Sequence, residues 1–318
     1  MTTLPPPPDP YASGLLDVGD GHQIYWEEAG NPDGKPALYL HGGPGSGSTP
    51  GARRWFGHAD KYRAIIIDQR NCGRSLPSAA DPTTDLSTNT TQDLIADLEL
   101  LRIEKGIDRW QVFGGSWGVT LALVYAETYP QRVSELVLAA VTMTRASDVH
   151  WLYHEVGRYF PEQWRRYRDG VPEAERDGDL VAAYNRLLNV SGNAEVMSAA
   201  AQNWVDWEDA VNSMDANWTP AVRYQDPVFR MTFARMCAHY FSHAAWLEDQ
   251  QILRDAHRLA GIPGVMVHGK HDLGGPSDVP WLLQQEWPEA ELHLVDSGHG
   301  GNAMGAPLSD FVGRYANR

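Results

Sequence analysis

The stretch FGGSWG, residues 113–118, sets a single hydroxyl, Ser116, between glycines directly after the apolar run WQVF. A serine is a weak nucleophile until a base takes its proton and a turn lifts it clear of the chain. The pattern G-x-S-x-G between a strand and a helix supplies that turn: its flanks must be small, and it presents the hydroxyl at the carboxyl edge of a sheet. Both flanks fit, because WQVF reads as a strand and VTLALVYAETYP as a helix that Pro130 ends. The chemistry is acyl transfer by Ser116, and it calls for a base, an orienting acid and two N–H donors.

In chains with this elbow the acid and then the histidine follow the serine. Asp272 stands in HGKHDLGGP, just past the strand-like GVMVHG, where a carboxylate emerges at the carboxyl edge. Its rivals are Asp296, too near in sequence to the best histidine to come from a separate strand end, and Asp278, well inside a loop. His299 follows the last strand-like run in VDSGHGG, whose small residues let an imidazole reach Ser116. His268 and His293 lie within strand runs and read as core or ladder residues. The oxyanion donors are then the N–H of Trp117, next after the nucleophile, and that of Gly43 in LHGGPGSGS, where no Cβ stands in the way. A nucleotide loop is a poor alternative there, since no G-K-[ST] follows and no G-x-G-x-x-G opens a helix.

These residues need a scaffold, and the runs ALYL, RAIIID, WQVF, ELVLAAV, GVMVHG and ELHLVD have the short, β-branched, apolar texture of buried parallel strands. TTQDLIADLELLRIEKG is a crossover helix with Leu94, Ile95, Leu98, Leu101 and at times Leu100 on one side, Thr90 or Thr91 as N-cap and Gly106 as its stop. Alternating strand and helix predicts an α/β fold with a mostly parallel sheet, whose chemistry gathers beyond the strands' carboxyl ends. From residue 142 to 250 the strand runs vanish, and Trp, Tyr, Arg and Ala recur at helical spacing. The expectation is a catalytic domain of 1–141 and 251–318, with a helical cap of 142–250 inserted over the site.

Length and charge set the outer bounds. The 318 residues, 42% hydrophobic, suffice for a large core. A net charge of -15 without a basic cluster excludes a phosphate-backbone partner. No apolar run approaches the ~18 residues of a membrane helix. Two cysteines, Cys72 and Cys237, make no disulfide framework, and MTTLPPPPDP has no leader pattern. The reading is a cytoplasmic protein with a stiff proline arm, no nucleic-acid or membrane partner, and an oligomeric state the sequence leaves open.

HGGPG, DQRNCGRS, GGSWG, WVDWE, HGKHD and SGHG together resemble the proline iminopeptidases, serine aminopeptidases of the α/β-hydrolase fold. The likeness runs over nearly the whole chain. It implies release of an N-terminal residue, typically proline, from a small peptide or amide, without metal or other cofactor. Residue by residue it makes Ser116 the nucleophile, Asp272 the acid and His299 the base, as the spacing argument does.

An aminopeptidase must also hold a cationic amine, which calls for buried carboxylates among aromatic walls. Glu208, beside Trp207 in NWVDWEDA, is the glutamate that the family's W-x-x-W-E pattern assigns to that amine. A second family glutamate falls in a stretch like A-R-I-E-x-H-Y-F, here ARMCAHYF, so that Cys237 takes its place and Phe241 lies close beyond it. Losing one of two carboxylates costs an ammonium about tenfold or more in binding. Asp206, Asp209 and Glu248 are candidate substitutes. Thr142 and Leu152 stand where the family tends to carry aromatic pocket walls, and Asn71 replaces a glycine in D-Q-R-G-x-G-x-S. These departures point to a remodelled pocket and raise the alternative of a non-peptide ester, lactone or amide. His239 and His243, four apart, have a metal-ligand spacing but no third ligand, and read as packing residues.

Overall fold

A computed structural model describes residues 7–56, 60–214 and 218–317. Pro5 and Pro6 of the proline arm lie outside the described residues. The strands are β1 (Pro10–Gly19), β2 (His22–Gly30), β3 (Lys35–Leu40), β4 (Tyr62–Asp68), β5 (Trp110–Gly115), β6 (Val133–Ala139), β7 (Gly264–Gly269) and β8 (Ala290–Val295). They form one eight-stranded sheet in the order β1-β2-β4-β3-β5-β6-β7-β8. All pairs from β4 through β8 are parallel, and the β1–β2 and β2–β4 pairs are antiparallel. The α/β architecture is the one expected from sequence.

The β1–β2 hairpin is an addition to that expectation. Along β1 burial alternates strictly between half-buried and exposed, as on an edge strand with one wet face. Its sequence, PYASGLLDVG, has no apolar run to announce it. β2 buries Glu27 and Glu28, which Arg53 (2.7 Å), Arg63 (2.7 Å) and Lys105 (3.0 Å) neutralise from other elements. The run read as a strand to residue 141 leaves the sheet at Ala139. There Ala140 turns to φ 52°, and the next amide, Val141 N–H, donates to His268 Nδ1 at 3.0 Å.

Helices cover both faces. α1 (Thr91–Glu104) starts at Thr90, whose hydroxyl accepts from Asp93 N–H while the Asp93 carboxylate accepts from Thr90 N–H. It buries Leu94, Ile95, Leu98 and Leu101, but Leu100 is 41% exposed and faces away from that side. α1, α2 (Trp117–Thr128) and further helices pack one face through Leu98, Leu121 and Leu283, while Phe56, Leu308 and Phe311 pack the other. Between β6 and β7 the chain makes a helical excursion: α3 (Ala146–Tyr153), α4 (Pro161–Asp169), α5 (Leu180–Asn189), α6 (Ala194–Asn212), α7 (Pro227–Ser242) and α8 (Gln251–Asp255). α9 (Asp278–Glu286) and α10 (Gly305–Tyr315) complete the fold. The excursion has an aromatic core of its own, in which Tyr167 and Tyr184 stack at 4.5 Å and Trp204 and Trp207 are fully buried. Tyr and Trp there supply large contact areas at few rotatable bonds.

Candidate active site

β3 and β5 are neighbours in the sheet, with Leu40 opposite Gly114. Their carboxyl ends therefore release two loops side by side. The β5 loop is a single sharp turn at Ser116, held at φ 55° and ψ −125°. Strain of this kind in a non-glycine residue is kept only where neighbours enforce it. Ser116 N–H donates to Ala139 O at 2.9 Å, and its carbonyl accepts from Val119 N–H at 2.7 Å and from the Thr142 hydroxyl at 2.9 Å. A Cβ at Gly114 would strike the backbone of Gly118, and one at Gly118 would strike Leu40 O. The glycines are thus required by the close approach of three backbones.

Opposite the serine hydroxyl stands an imidazole. His299 Nε2 lies 2.8 Å from Ser116 Oγ, and His299 Nδ1 lies 2.8 Å from Asp272 Oδ2. With the carboxylate accepting, Nδ1 holds the proton and Nε2 is left to accept from the serine O–H. Asp272 Oδ1 accepts from the N–H groups of Gly274 (2.9 Å) and Gly275 (3.0 Å), so the acid is fixed by its own loop beyond β7. Burial alone pushes the Asp272 carboxyl up. The His299 imidazole and the hydrogen bonds to Oδ1 and Oδ2 outweigh it and hold this carboxyl below its usual range. Burial likewise disfavours imidazolium at His299, and Asp272, with help from Glu208, raises that imidazole above its ordinary value.

The β3 loop presents Gly43 at φ 116°, where a Cβ would meet the N atoms of Gly45 (2.6 Å) and Ser46 (2.8 Å). Trp117 opens α2, and a first-turn N–H has no acceptor within its own helix. Both residues line the space around Ser116. DQRNCGRS ties the two loops together. Gln69 N–H donates to His41 Nε2 (3.0 Å), the Gln69 amide donates to His41 O (2.9 Å), and Trp117 Nε1–H donates to Gln69 Oε1 (3.0 Å). Asp68 accepts from Ser48 N–H (2.6 Å) and from Arg74 Nε (2.8 Å). Asn71 takes up φ 62°, the left-handed turn its glycine counterpart would adopt freely.

The cavity over Ser116 has two lobes that share Gly43, Ser116, Glu208, Asn212 and His299. The smaller, about 80 Å³, is walled by Thr142, Leu152, Tyr153 and Phe241. The larger, about 330 Å³, runs past Tyr39, Trp55, Phe113, Arg223 and Phe233. Glu208 Oε1 accepts from Tyr153 O–H at 2.5 Å. Burial drives this carboxyl above its usual range, against the pull of Tyr153 and His299. An ammonium docked there would favour its charged form.

Ser116, His299, Gly43, Trp117, Glu208, Phe241, Thr142 and Leu152 thus line one cavity, with Asp272 buried behind His299, while Cys237 does not. It is fully buried on α7, with its thiol turned to Pro44 O at 3.4 Å, and lines neither lobe. The candidate substitutes also stay outside: Asp206 accepts from Gln202, Asp209 from Ala221 N–H, and Glu248 pairs with Arg254. Among the rivals, Asp296 pairs with His271, Asp278 lies 3.7 Å from Arg145, and His268 is fully buried. His239 and His243 pack with Trp246, at 4.8 Å and 5.0 Å. Tyr153, Asn212 and Arg223 are cavity residues that no sequence signal marked, because each comes from a different part of the excursion.

Residues 35–303 match a family model described as alpha/beta hydrolase fold. The chain is 48% identical over 308 residues to a probable proline iminopeptidase of Streptomyces coelicolor, covering 95% of this chain and 94% of that protein. It is 45% identical over 302 residues to a proline iminopeptidase of Xylella fastidiosa, covering 94% of each. Among solved structures, that of VinJ superposes with a TM-score of 0.65 at 20% identity, covering 97% of this chain and 99% of the other. A proline iminopeptidase from Mycobacterium smegmatis superposes at 0.60 and 19%, covering 96% and 99%. At those identities the structures speak for the fold.

Proposed function

The chain belongs to the proline iminopeptidases of the α/β-hydrolase family, and on that premise we propose that it releases an N-terminal proline, or another small residue, through an acyl-enzyme on Ser116. The observation that carries the reading is the continuous chain from Asp272 through His299 to Ser116, at 2.8 Å and 2.8 Å, opening onto a cavity that contains Glu208.

Ser116 Oγ attacks the scissile carbonyl carbon as its proton passes to His299 Nε2. Asp272 keeps the Nδ1 proton and offsets the imidazolium charge. The N–H groups of Gly43 and Trp117 receive the oxyanion, a type of contact whose removal costs about 10²–10³ in turnover. As the intermediate collapses the C–N bond breaks, and His299 gives its proton to the departing amine. Water then attacks the Ser116 ester with His299 again as base, and the free residue leaves. Glu208 accepts the substrate's ammonium, and the apolar wall of Thr142, Leu152 and Phe241 receives the acyl side chain. The excursion between β6 and β7 acts as a cap that contributes Glu208 and keeps water from the acyl group.

The test is a panel of aminoacyl 4-nitroanilides beside their N-acetyl forms and a simple aryl ester. Free-amine prolyl or alanyl substrates are cleaved, and N-acetylation lowers kcat/KM by at least about thirtyfold, the equivalent of a ~2 kcal/mol charged pair. Cleavage of the ester with no free-amine amide turned over would reject the aminopeptidase reading. Two unpaired buried thiols, Cys72 and Cys237, support a reducing, cytoplasmic setting for this activity.

A further inference from the structure

The larger lobe contains a charge for which the hydrolytic steps have no use. Arg223 lines it, with its guanidinium 5.4 Å from the Tyr224 ring centre and 5.2 Å from that of Phe229. It has no carboxylate partner within ion-pair distance among the described residues, and it is the one Arg or Lys among the described residues that line either lobe. Its positive charge opposes the upward drive of burial on Glu208 and adds to burial's downward pull on His299. The guanidinium is therefore within electrostatic reach of the reacting groups.

The two lobes meet at Ser116 and His299, so a carbonyl held there has its acyl residue on one side and its leaving amine on the other. The smaller lobe, with Thr142, Leu152 and Phe241, suits the acyl residue; the larger remains for the leaving group. When the substrate is a short peptide, that leaving group ends in a carboxylate. A chain of net charge -15 repels such a group. A planar guanidinium matches a carboxylate in two parallel hydrogen bonds, and stacking on Tyr224 and Phe229 limits how far it wanders.

We propose that Arg223 binds the C-terminal carboxylate of the leaving group, making the enzyme selective for short peptides with a free C-terminus over the corresponding amides. This rests on the aminopeptidase reading above.

The experiment compares prolyl-glycine, prolyl-glycinamide and prolyl-4-nitroanilide on the wild type, Arg223→Gln and Arg223→Lys. In the wild type the free carboxylate raises kcat/KM over the amide by about tenfold, which is ~1.4 kcal/mol. Arg223→Gln brings that ratio close to one, chiefly through KM, and Arg223→Lys retains part of it. Nitroanilide turnover, measured alongside, reports whether each variant is folded and hydrolytic. A ratio near one in the wild type, or an undiminished ratio in a hydrolytic Arg223→Gln, overturns the proposal. If the wild type cleaves none of the three, the aminopeptidase reading falls, and this inference with it.

Discussion

Proton traffic at Ser116 is set by which neighbours reach His299. Asp272 raises that imidazole above its ordinary value, and Glu208 adds to the effect. Only neutral His299 can accept the serine proton, so kcat/KM falls as pH drops through this raised value, and the acid limb lies above the free-imidazole range. Glu208→Gln removes one of the raising charges; the limb then shifts to lower pH while KM for free-amine substrates rises by roughly tenfold or more. A pH–rate series on both proteins checks this, and an unmoved limb with an unchanged KM would detach Glu208 from the site. The meeting of Ser116, His299 and Asp272, with Gly43 and Trp117 beside them, is legible in sequence because each sits in a short pattern whose spacing acyl-transfer chemistry dictates. Tyr153 and Arg223 are not, since their roles depend on how the excursion folds over the sheet. Cys237 stands at a position the family likeness marks, yet α7 turns it toward the β3 loop.

Among the elements, the β3 end, the β5 turn and the start of α2 are locked together by absent side chains. Gly118→Ala would set a Cβ against Leu40 O, a backbone atom that cannot yield without moving β3. The expected result is loss of most activity with a lowered melting temperature, whereas a fully active Gly118→Ala would contradict this packing. At the other end of α2, Glu127 is buried with both carboxylate oxygens unpaired, and burial pushes its pKa up to about 9. The folded state then binds more protons than the unfolded one between the ordinary carboxylate value and about 9, so stability is lost as pH rises through that window. Glu127→Gln should raise the melting temperature at pH 8, by roughly 2–4 °C for each ~1 kcal/mol recovered, and do little at pH 4; calorimetry at both pH values decides it. Buried parallel strands announce themselves by apolar runs, and six strands of the sheet are readable that way. The β1–β2 hairpin is not, because one strand is half wet and the other buries acids that only distant cations make tolerable.

Over the whole molecule, the sheet supplies the edge that carries Ser116, and the excursion contributes Leu152, Tyr153, Glu208, Arg223 and Phe241 to the cavity above it. No helix among the described residues is long and apolar enough to cross a membrane. Cys72 and Cys237 are fully buried, and burial pushes both thiols well above the usual range. A thiol reagent should therefore label neither at a practical rate in the native protein and both in denaturant; rapid native labelling would mean that the loop after β4, which carries Cys72, or α7, which carries Cys237, opens readily. The central claim is that hydrolysis passes through Ser116. Its most direct test is kcat/KM of Ser116→Ala on the best aminoacyl nitroanilide, with fluorophosphonate labelling of both proteins. The account predicts a fall of at least about 10⁴-fold, with label on the wild type alone. Turnover by Ser116→Ala within about tenfold of the wild type would contradict it.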